Sequence, residues 1–354
     1  MSQKIYRVGI VGCGMIAAAH AKAYKMHERT ELAALADINP EHLLKFKDKW
    51  SVSEKASYTD HLSMLNNEKL DIVSVCTWHG SHAEISIDCA MKGISGIICE
   101  KPMATNVGEA KDMLAAAKAN KTKLTVEHNR RYSFGSNKAR ELIAEGQIGK
   151  PQIVLVRTQS GMLNWATHVI DQTRYLLGDP ETDWVIAQVE RKTDRHERME
   201  PAEDRAAGII CFKDGTHFVL ECDLPGPEMD HGPNTPIVIG TEGQIVVGST
   251  VKLLNKNGFQ EFASVTEEHR AGYIGHIDDL ISWMEGQTDQ HRCSGDQALH
   301  DIEIMMAMYE SLRIKGVVSS PLKTRSNPLK EMLSNGELSV QFPGRYDIRL
   351  PYWN

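Results

Sequence analysis

Nothing in this 354-residue chain approaches the uninterrupted apolar length of a membrane-spanning helix, so a membrane protein is not expected. Cysteine is scarce and poorly placed for cross-linking. Cys13, Cys76, Cys89, Cys99, Cys211, Cys222 and Cys293 are odd in number and include no Cys-x-x-Cys pair, which argues against disulfides and zinc. Several lie inside apolar strand-like runs, where a reduced thiol acts as a small hydrophobe. Positive charge is also short: 40 Lys and Arg against 47 Asp and Glu give a net charge of −7, so no overall electrostatic footprint for nucleic acid is present. The opening MSQKIYRVGIVGCG has no signal-peptide core, and a cytoplasmic protein is expected. Internal repeats and low-complexity segments are not visible.

What the chain does have is an ordinary globular composition, 41% hydrophobic and 25% charged, over a length that one core rarely serves. Two domains are therefore expected, one at 1–127 and one at 128–354. In the first, short apolar runs alternate with amphipathic stretches, the grammar of βαβ units in a doubly wound α/β parallel sheet. Strands are expected at Tyr6–Val11, Leu32–Ala36, weakly at Ser51–Val52, and at Ile72–Val75, Gly96–Cys99 and Leu124–Val126. Helical spacing covers Met15–Met26, Ser81–Lys92 and Val107–Ala119.

The grammar then changes. Runs at Ile153–Thr158, Val185–Val189, Ala207–Phe212, His217–Glu221, Ile237–Ile239 and Gln244–Val247 follow one another through turns. That pattern implies an α+β domain with a largely antiparallel open sheet. Helices at Lys138–Ala144, His168–Leu177, Ile274–Glu285 and Gln297–Lys315 would cover one face. The tail ends in PGRYDIRLPYWN, costly to leave in water, and is expected to pack on the body or on a neighbouring subunit.

The sequence GIVGCGMIAAAH places Gly12, Gly14 and Ala17 as G-x-G-x-x-A, directly after an apolar strand and opening a helix. Gly12 permits the tight turn, Gly14 lets backbone approach a pyrophosphate, and Ala17 keeps the helix close to the sheet. The helix start, with Met15 and Ile16, faces the phosphates. Asp37 ends the second strand, where a carboxylate binds a ribose 2′-hydroxyl and repels a 2′-phosphate. NAD is expected over NADP, although Lys45 could dilute that preference.

With that turn, Asp37, the Glu100-Lys101-Pro102 tripeptide, the segment THVIDQTRYLLGDP, the GTEGQIVV run and the YES…PL ending, the chain resembles the Gfo/Idh/MocA family over nearly its whole length. The resemblance implies that Lys101 lies beside the nicotinamide and hydrogen-bonds the reacting hydroxyl. It implies that His168 accepts that hydroxyl's proton, a task suited to an imidazole titrating near working pH. Thr77, Trp78, His79, His82 and Glu100, and His128, Asn129 and Arg131, would line the nicotinamide and substrate crevice, entered between the domains. Trp78 stands where a proline is common; its ring either stacks on the cofactor or is simply packed. His79 and His82 lack further ligands at convincing spacing, so no metal is expected.

Many relatives carry an aspartate four residues before the histidine, where this chain has Asn164. Asparagine orients a hydroxyl but relays no proton. Asp171 remains on the same helical face for a sugar hydroxyl. Asn129, Arg131, Asn164 and Asp171 together suit a polyhydroxylated ring. The leading expectation is an NAD-dependent dehydrogenase of a sugar, glycoside or cyclic polyol. Alternatives are an NAD-retaining glycosidase-like or transhydrogenating enzyme and a non-catalytic NAD-binding regulator. The resemblance also implies a homo-oligomer, formed through the open face of the second sheet.

Overall fold

The structure is a computed structural model that describes residues 4–226, 232–264, 268–344 and 346–349. Strands β1 (Tyr6–Val11), β2 (Thr30–Ala36), β3 (Ser57–Tyr58), β4 (Ile72–Val75), β5 (Gly96–Cys99) and β6 (Lys123–Val126) form one parallel sheet in the order β3-β2-β1-β4-β5-β6. This is the doubly wound dinucleotide-binding order, with its switch point between β1 and β4. β4 and β5 are buried at every position, as strands covered on both faces must be. Helices α1 (Met15–Met26), α2 (Pro40–Trp50), α3 (His61–Asn67), α4 (His82–Met91) and α5 (Val107–Asn120) follow the strands.

The weak strand expected at Ser51–Val52 is not there. Ser51 takes a left-handed φ of 55° that caps the end of α2, and the third strand forms later, as Ser57–Tyr58 pairs with Leu35–Ala36.

The second sheet has nine strands, in the order β16-β15-β14-β13-β7-β12-β11-β8-β17. Around it the chain runs through α6 (Phe134–Ala144), β7 (Pro151–Thr158), a π-helical turn at Gly161–Ala166, α7 (Thr167–Leu176) and β8 (Thr182–Glu190). A separate hairpin, β9 (His196–Glu197) and β10 (Glu200–Pro201), precedes β11 (Arg205–Phe212), β12 (His217–Cys222), β13 (Ile237–Gly240), β14 (Gly243–Val247), β15 (Thr250–Asn255) and β16 (Gly258–Ala263). Then come α8 (Glu268–Met284), α9 (Gly295–Ile314), β17 (Val318–Ser319) and α10 (Pro328–Ser334). Pairing is antiparallel except between β7 and β12. Alternation along β12, half-buried then buried, marks a sheet covered on one side. α6 packs on β14, β15 and α7, while the α9 residue Met308 comes close enough to β11 that a Cβ on Gly208 would lie 3.0 Å from its methyl.

The chain divides into two compact units, but not at a single point. Residues 1–104, 109–129 and 269–296 form one; 105–108, 130–268 and 297–354 form the other. α8, expected in the second domain, belongs with the parallel sheet. Gly96 on β5 is packed under this helix: a Cβ there would sit 2.7 Å from the Met284 sulfur and 3.2 Å from Leu280, so the glycine makes room for these two α8 side chains. Of the tail, Phe342 bridges Thr193 and Ile348 bridges Glu197 within the second unit, and Ile348 is buried. Residues 350–354 of the expected docking segment lie outside the described residues. No helix among the described residues is long and apolar enough to cross a membrane.

Candidate active site

The glycine-rich turn is built almost wholly from backbone. Gly12 adopts φ +89°, and a Cβ there would lie 2.7 Å from the Cys76 carbonyl oxygen and 2.9 Å from the Thr77 nitrogen at the end of β4. Any side chain would strain the turn twice over. A Cβ on Gly14 would meet nothing within 4 Å, so the space in front of it is open. α1 begins there with no side-chain cap and no acidic residue in its first turn, leaving amide donors for an anion. Met15 and Ile16 are exposed at that helix start, whereas Ala17 is fully buried against the sheet. Asp37 accepts hydrogen bonds from the Cys13 amide at 2.6 Å and the Asn39 amide at 2.8 Å. Each of its oxygens keeps acceptor capacity for a ribose hydroxyl. An open glycine, an uncapped helix start and a strand-end carboxylate fit a dinucleotide.

At the C-terminal edge of the same sheet, Lys101 follows β5 directly. Its neighbour Glu100 is buried and directed inward rather than towards a cofactor: Oε1 pairs with His20 Nε2 at 3.0 Å, and Oε2 accepts from the Lys101 amide at 3.3 Å. Burial pushes the Glu100 carboxyl up, but the His20 hydrogen bond and the charges of His20, Lys101 and His82 outweigh it and hold it below its ordinary range. His20 also pairs with Ser74 Oγ at 3.0 Å and meets the Tyr273 ring edge-on at 5.2 Å. Tyr273 is in turn hydrogen-bonded by Asn129. A polar chain thus runs from Asn129 through α8 and α1 to the residue beside Lys101.

His82, expected at the cofactor, is corrected to a clamp. It is fully buried, with Nδ1 2.8 Å from the Pro102 carbonyl and Nε2 3.0 Å from the Thr77 carbonyl. Burial lowers its pKa although both carbonyls favour the charged ring. It ties the loop after β4 to the loop after β5, so both ring nitrogens are occupied. In the first of those loops, Thr77 Oγ1 accepts from Ser81, Trp78 is half-buried and His79 is buried. His128, after β6, is also buried.

In the second unit, His168 is half-buried near the start of α7, its ring 5.6 Å from that of Trp165. The preceding π turn widens the helix and carries buried Asn164 one turn before it. Gln172, one turn after, is also buried. Asn164 Oδ1 accepts from Arg198 Nη1 at 2.8 Å, and Gln172 Oε1 accepts from Arg130 Nη1 at 2.9 Å. Asn164, His168 and Gln172 therefore form one polar stripe.

Arg131 and Asp171 bind each other rather than standing open to a substrate. Both are 1% exposed; Arg131 Nε and Nη2 reach Asp171 Oδ1 at 2.8 and 2.7 Å, and Nη2 reaches Asp179 at 2.8 Å. Tyr175 stacks under the same guanidinium at 5.1 Å. An arginine this deeply buried needs such carboxylates, which explains why the pair turns inward.

Sequence reasoning overlooked His20, Tyr273, Gln172 and Arg198. A histidine within the Ala-rich face of α1 was the available signal for His20; the others depend on partners distant in sequence.

A G-x-G-x-x-A turn at the switch point of a 3-2-1-4-5-6 parallel sheet, with a carboxylate on the second strand, defines an NAD-binding oxidoreductase domain. The chain belongs to the Gfo/Idh/MocA family: residues 6–128 match its "Oxidoreductase family, NAD-binding Rossmann fold" and residues 157–319 its "C-terminal alpha/beta domain". It is similar to myo-inositol 2-dehydrogenase of Thermotoga maritima, 29% identical over 61% of this chain and 67% of that protein. D-glucoside 3-dehydrogenase of Escherichia coli is 25% identical over 62% of this chain and 71% of its own length. Among solved structures, levoglucosan dehydrogenase in complex with NADH superposes with a TM-score of 0.79, at 23% identity over 90% of this chain and all of that one.

Proposed function

We propose that this protein oxidises a ring hydroxyl of a sugar, glycoside or cyclic polyol to a ketone, reversibly. The observation that carries the reading is the polar stripe of α7, where His168 lies between the buried amides Asn164 and Gln172. A ring with several hydroxyls needs a partner for each when buried, and the stripe, with the guanidinium groups that Asn164 and Gln172 hold, supplies a run of polar groups of that kind. Bound NAD supplies the hydride acceptor. Lys101 hydrogen-bonds the reacting hydroxyl oxygen, and His168 takes its proton at a ring nitrogen, returning it in the reverse direction. Gly12, Gly14, Met15 and Ile16 hold the pyrophosphate, and Asp37 the adenosine ribose. Thr77, Trp78, His79 and Asn129 border the nicotinamide. The similarity to an inositol dehydrogenase and a glucoside dehydrogenase supports the same class.

NADH absorbance with a panel of sugars, cyclitols and glycosides tests this, with product analysis to locate the oxidised carbon. Lys101→Ala and His168→Ala should each lower kcat by roughly 10²- to 10⁴-fold. Unchanged turnover in both would sink the mechanism.

We also infer that the protein self-associates through its second sheet. Leu155, Val219, Ile209 and Ile186 are register neighbours across β7, β12, β11 and β8, and all are partly exposed. Such a row suits a second copy. Ile209→Asp should dissociate the oligomer in sedimentation; an unchanged mass would refute this face.

A further inference from the structure

The second unit treats its arginines in two different ways. Arg131, Arg174 and Arg195 are buried, and each is matched by carboxylates: Asp171 and Asp179, Asp301, and Glu197 with Asp223. Arg130 and Arg198 are half-buried and have no carboxylate within ion-pair distance among the described residues. Their partners are neutral: Gln172 Oε1 and the Asn234 carbonyl at 2.9 and 3.0 Å for Arg130, and Asn164 Oδ1 at 2.8 Å for Arg198. These two guanidinium groups are held by the residues one turn after and one turn before His168. The Arg130 guanidinium also lies over the Trp165 ring, at 5.7 Å, and that ring is the neighbour of His168.

A second observation concerns how Arg198 is presented. It sits at the tip of the β9–β10 hairpin, where Arg198 and Met199 have φ of 50° and 70°. Two left-handed residues form the kind of turn that asparagine and glycine normally occupy. Arginine and methionine carry a Cβ that makes this backbone conformation unfavourable. Strain of this kind clusters at active sites and ligand clamps. The hairpin aims Arg198 at Asn164, where an aspartate would cancel its charge and an asparagine leaves it unneutralised. Burial pulls Arg130 below its ordinary range, to about 10, with the more distant Asp171 opposing, and it stays a cation at neutral pH.

We propose that Arg198 and Arg130 form an oxyanion-recognising subsite flanking His168, so that the physiological substrate is an acidic sugar derivative carrying a carboxylate or phosphate. This rests on the dehydrogenase reading above and narrows its substrate class. The amides Asn164 and Gln172 orient the two guanidinium groups, each retaining N–H donors for the ligand. The substrate itself supplies the negative charge that this chain lacks at position 164.

The test has a turnover arm and a binding arm. NAD reduction is compared for D-glucuronate, D-glucose 6-phosphate, D-glucose and myo-inositol, and calorimetry measures binding of the same compounds to the NADH-loaded protein. One of the two acids should be preferred by roughly ten- to hundredfold, the scale of a charge-assisted contact; which one distinguishes carboxylate from phosphate. R198Q and N164D should each collapse the acid-to-neutral preference, and R130Q should reduce it. N164D is the more telling of these, because it leaves the hairpin and its arginine in place. If neutral compounds bind and turn over as well as the acids, the subsite is wrong while the dehydrogenase reading stands. If acids bind selectively and nothing is oxidised, the subsite stands and the dehydrogenase reading fails. Absence of selective acid binding in the calorimeter overturns the proposal whatever the turnover.

Discussion

The cofactor cradle and the histidine stripe solve the same problem, polar groups held in fixed places, by opposite means. The cradle is made of backbone: a glycine at φ +89°, amides at a helix start, and a carboxylate that bonds two main-chain N–H groups. The side-chain half, the stripe together with the buried Arg131–Asp171 pair, is made of residues held by other side chains, as Asn164 is by Arg198, Gln172 by Arg130 and Asp171 by Arg131. A backbone site tolerates few residue types and is rigid by construction. A side-chain site accepts many residues and depends on each partner being present.

The largest effect should come from breaking the side-chain half. Arg131→Met removes the cation paired with Asp171, while Asp179 keeps Arg140, and denaturant unfolding should show a loss of about 3–5 kcal/mol. A loss below about 1 kcal/mol would mean the pair is not a structural brace, and a substrate role for Arg131 would return. The backbone half breaks at Gly12→Val, where a side chain meets the Cys76 carbonyl. NADH affinity, titrated by fluorescence, should fall by roughly a hundredfold or more while the second unit's contacts are untouched.

The smallest effect falls on a pair that belongs to neither half. Glu127, 2% exposed, faces His276 Nδ1 at 3.2 Å; burial pushes its carboxyl well above the ordinary range and pulls His276 well below. A raised carboxyl pKa means the folded state keeps a proton that the unfolded chain releases above about pH 4.3. Stability from this group is full below that pH and declines as pH rises towards the folded value. Glu127→Gln should therefore change the thermal midpoint little in acid and flatten its decline at higher pH. An unaltered pH slope would show that Glu127 is ionised in the folded protein.

The same contrast explains what could be read from the sequence. Tyr6–Val11, Ile72–Val75, Gly96–Cys99 and Met15–Met26 have the limits expected, because buried parallel strands are apolar on both faces and the glycine turn fixes where α1 begins. β3 was misplaced, being two half-buried residues with no pattern. β15 and β16 went unseen; β16 is exposed along almost its whole length and shows no alternation. The β9–β10 hairpin carries none of the expected turn residues at Arg198 and Met199. In the site, Gly12, Gly14, Ala17 and Asp37 were legible since each has a local mechanical task. The inward commitments of Glu100, His82, Arg131 and Asp171 were not, because His20, Pro102 and Asp179 come together only in the fold.

α8 returns to the parallel sheet after the chain has travelled through most of the second sheet, and His276 on it closes over Thr125 and Glu127. During synthesis, then, the nucleotide-binding unit begins first but stays unfinished until residue 296 has left the ribosome. A fragment ended at residue 127 would keep the whole glycine turn and still lack the lid of its own core.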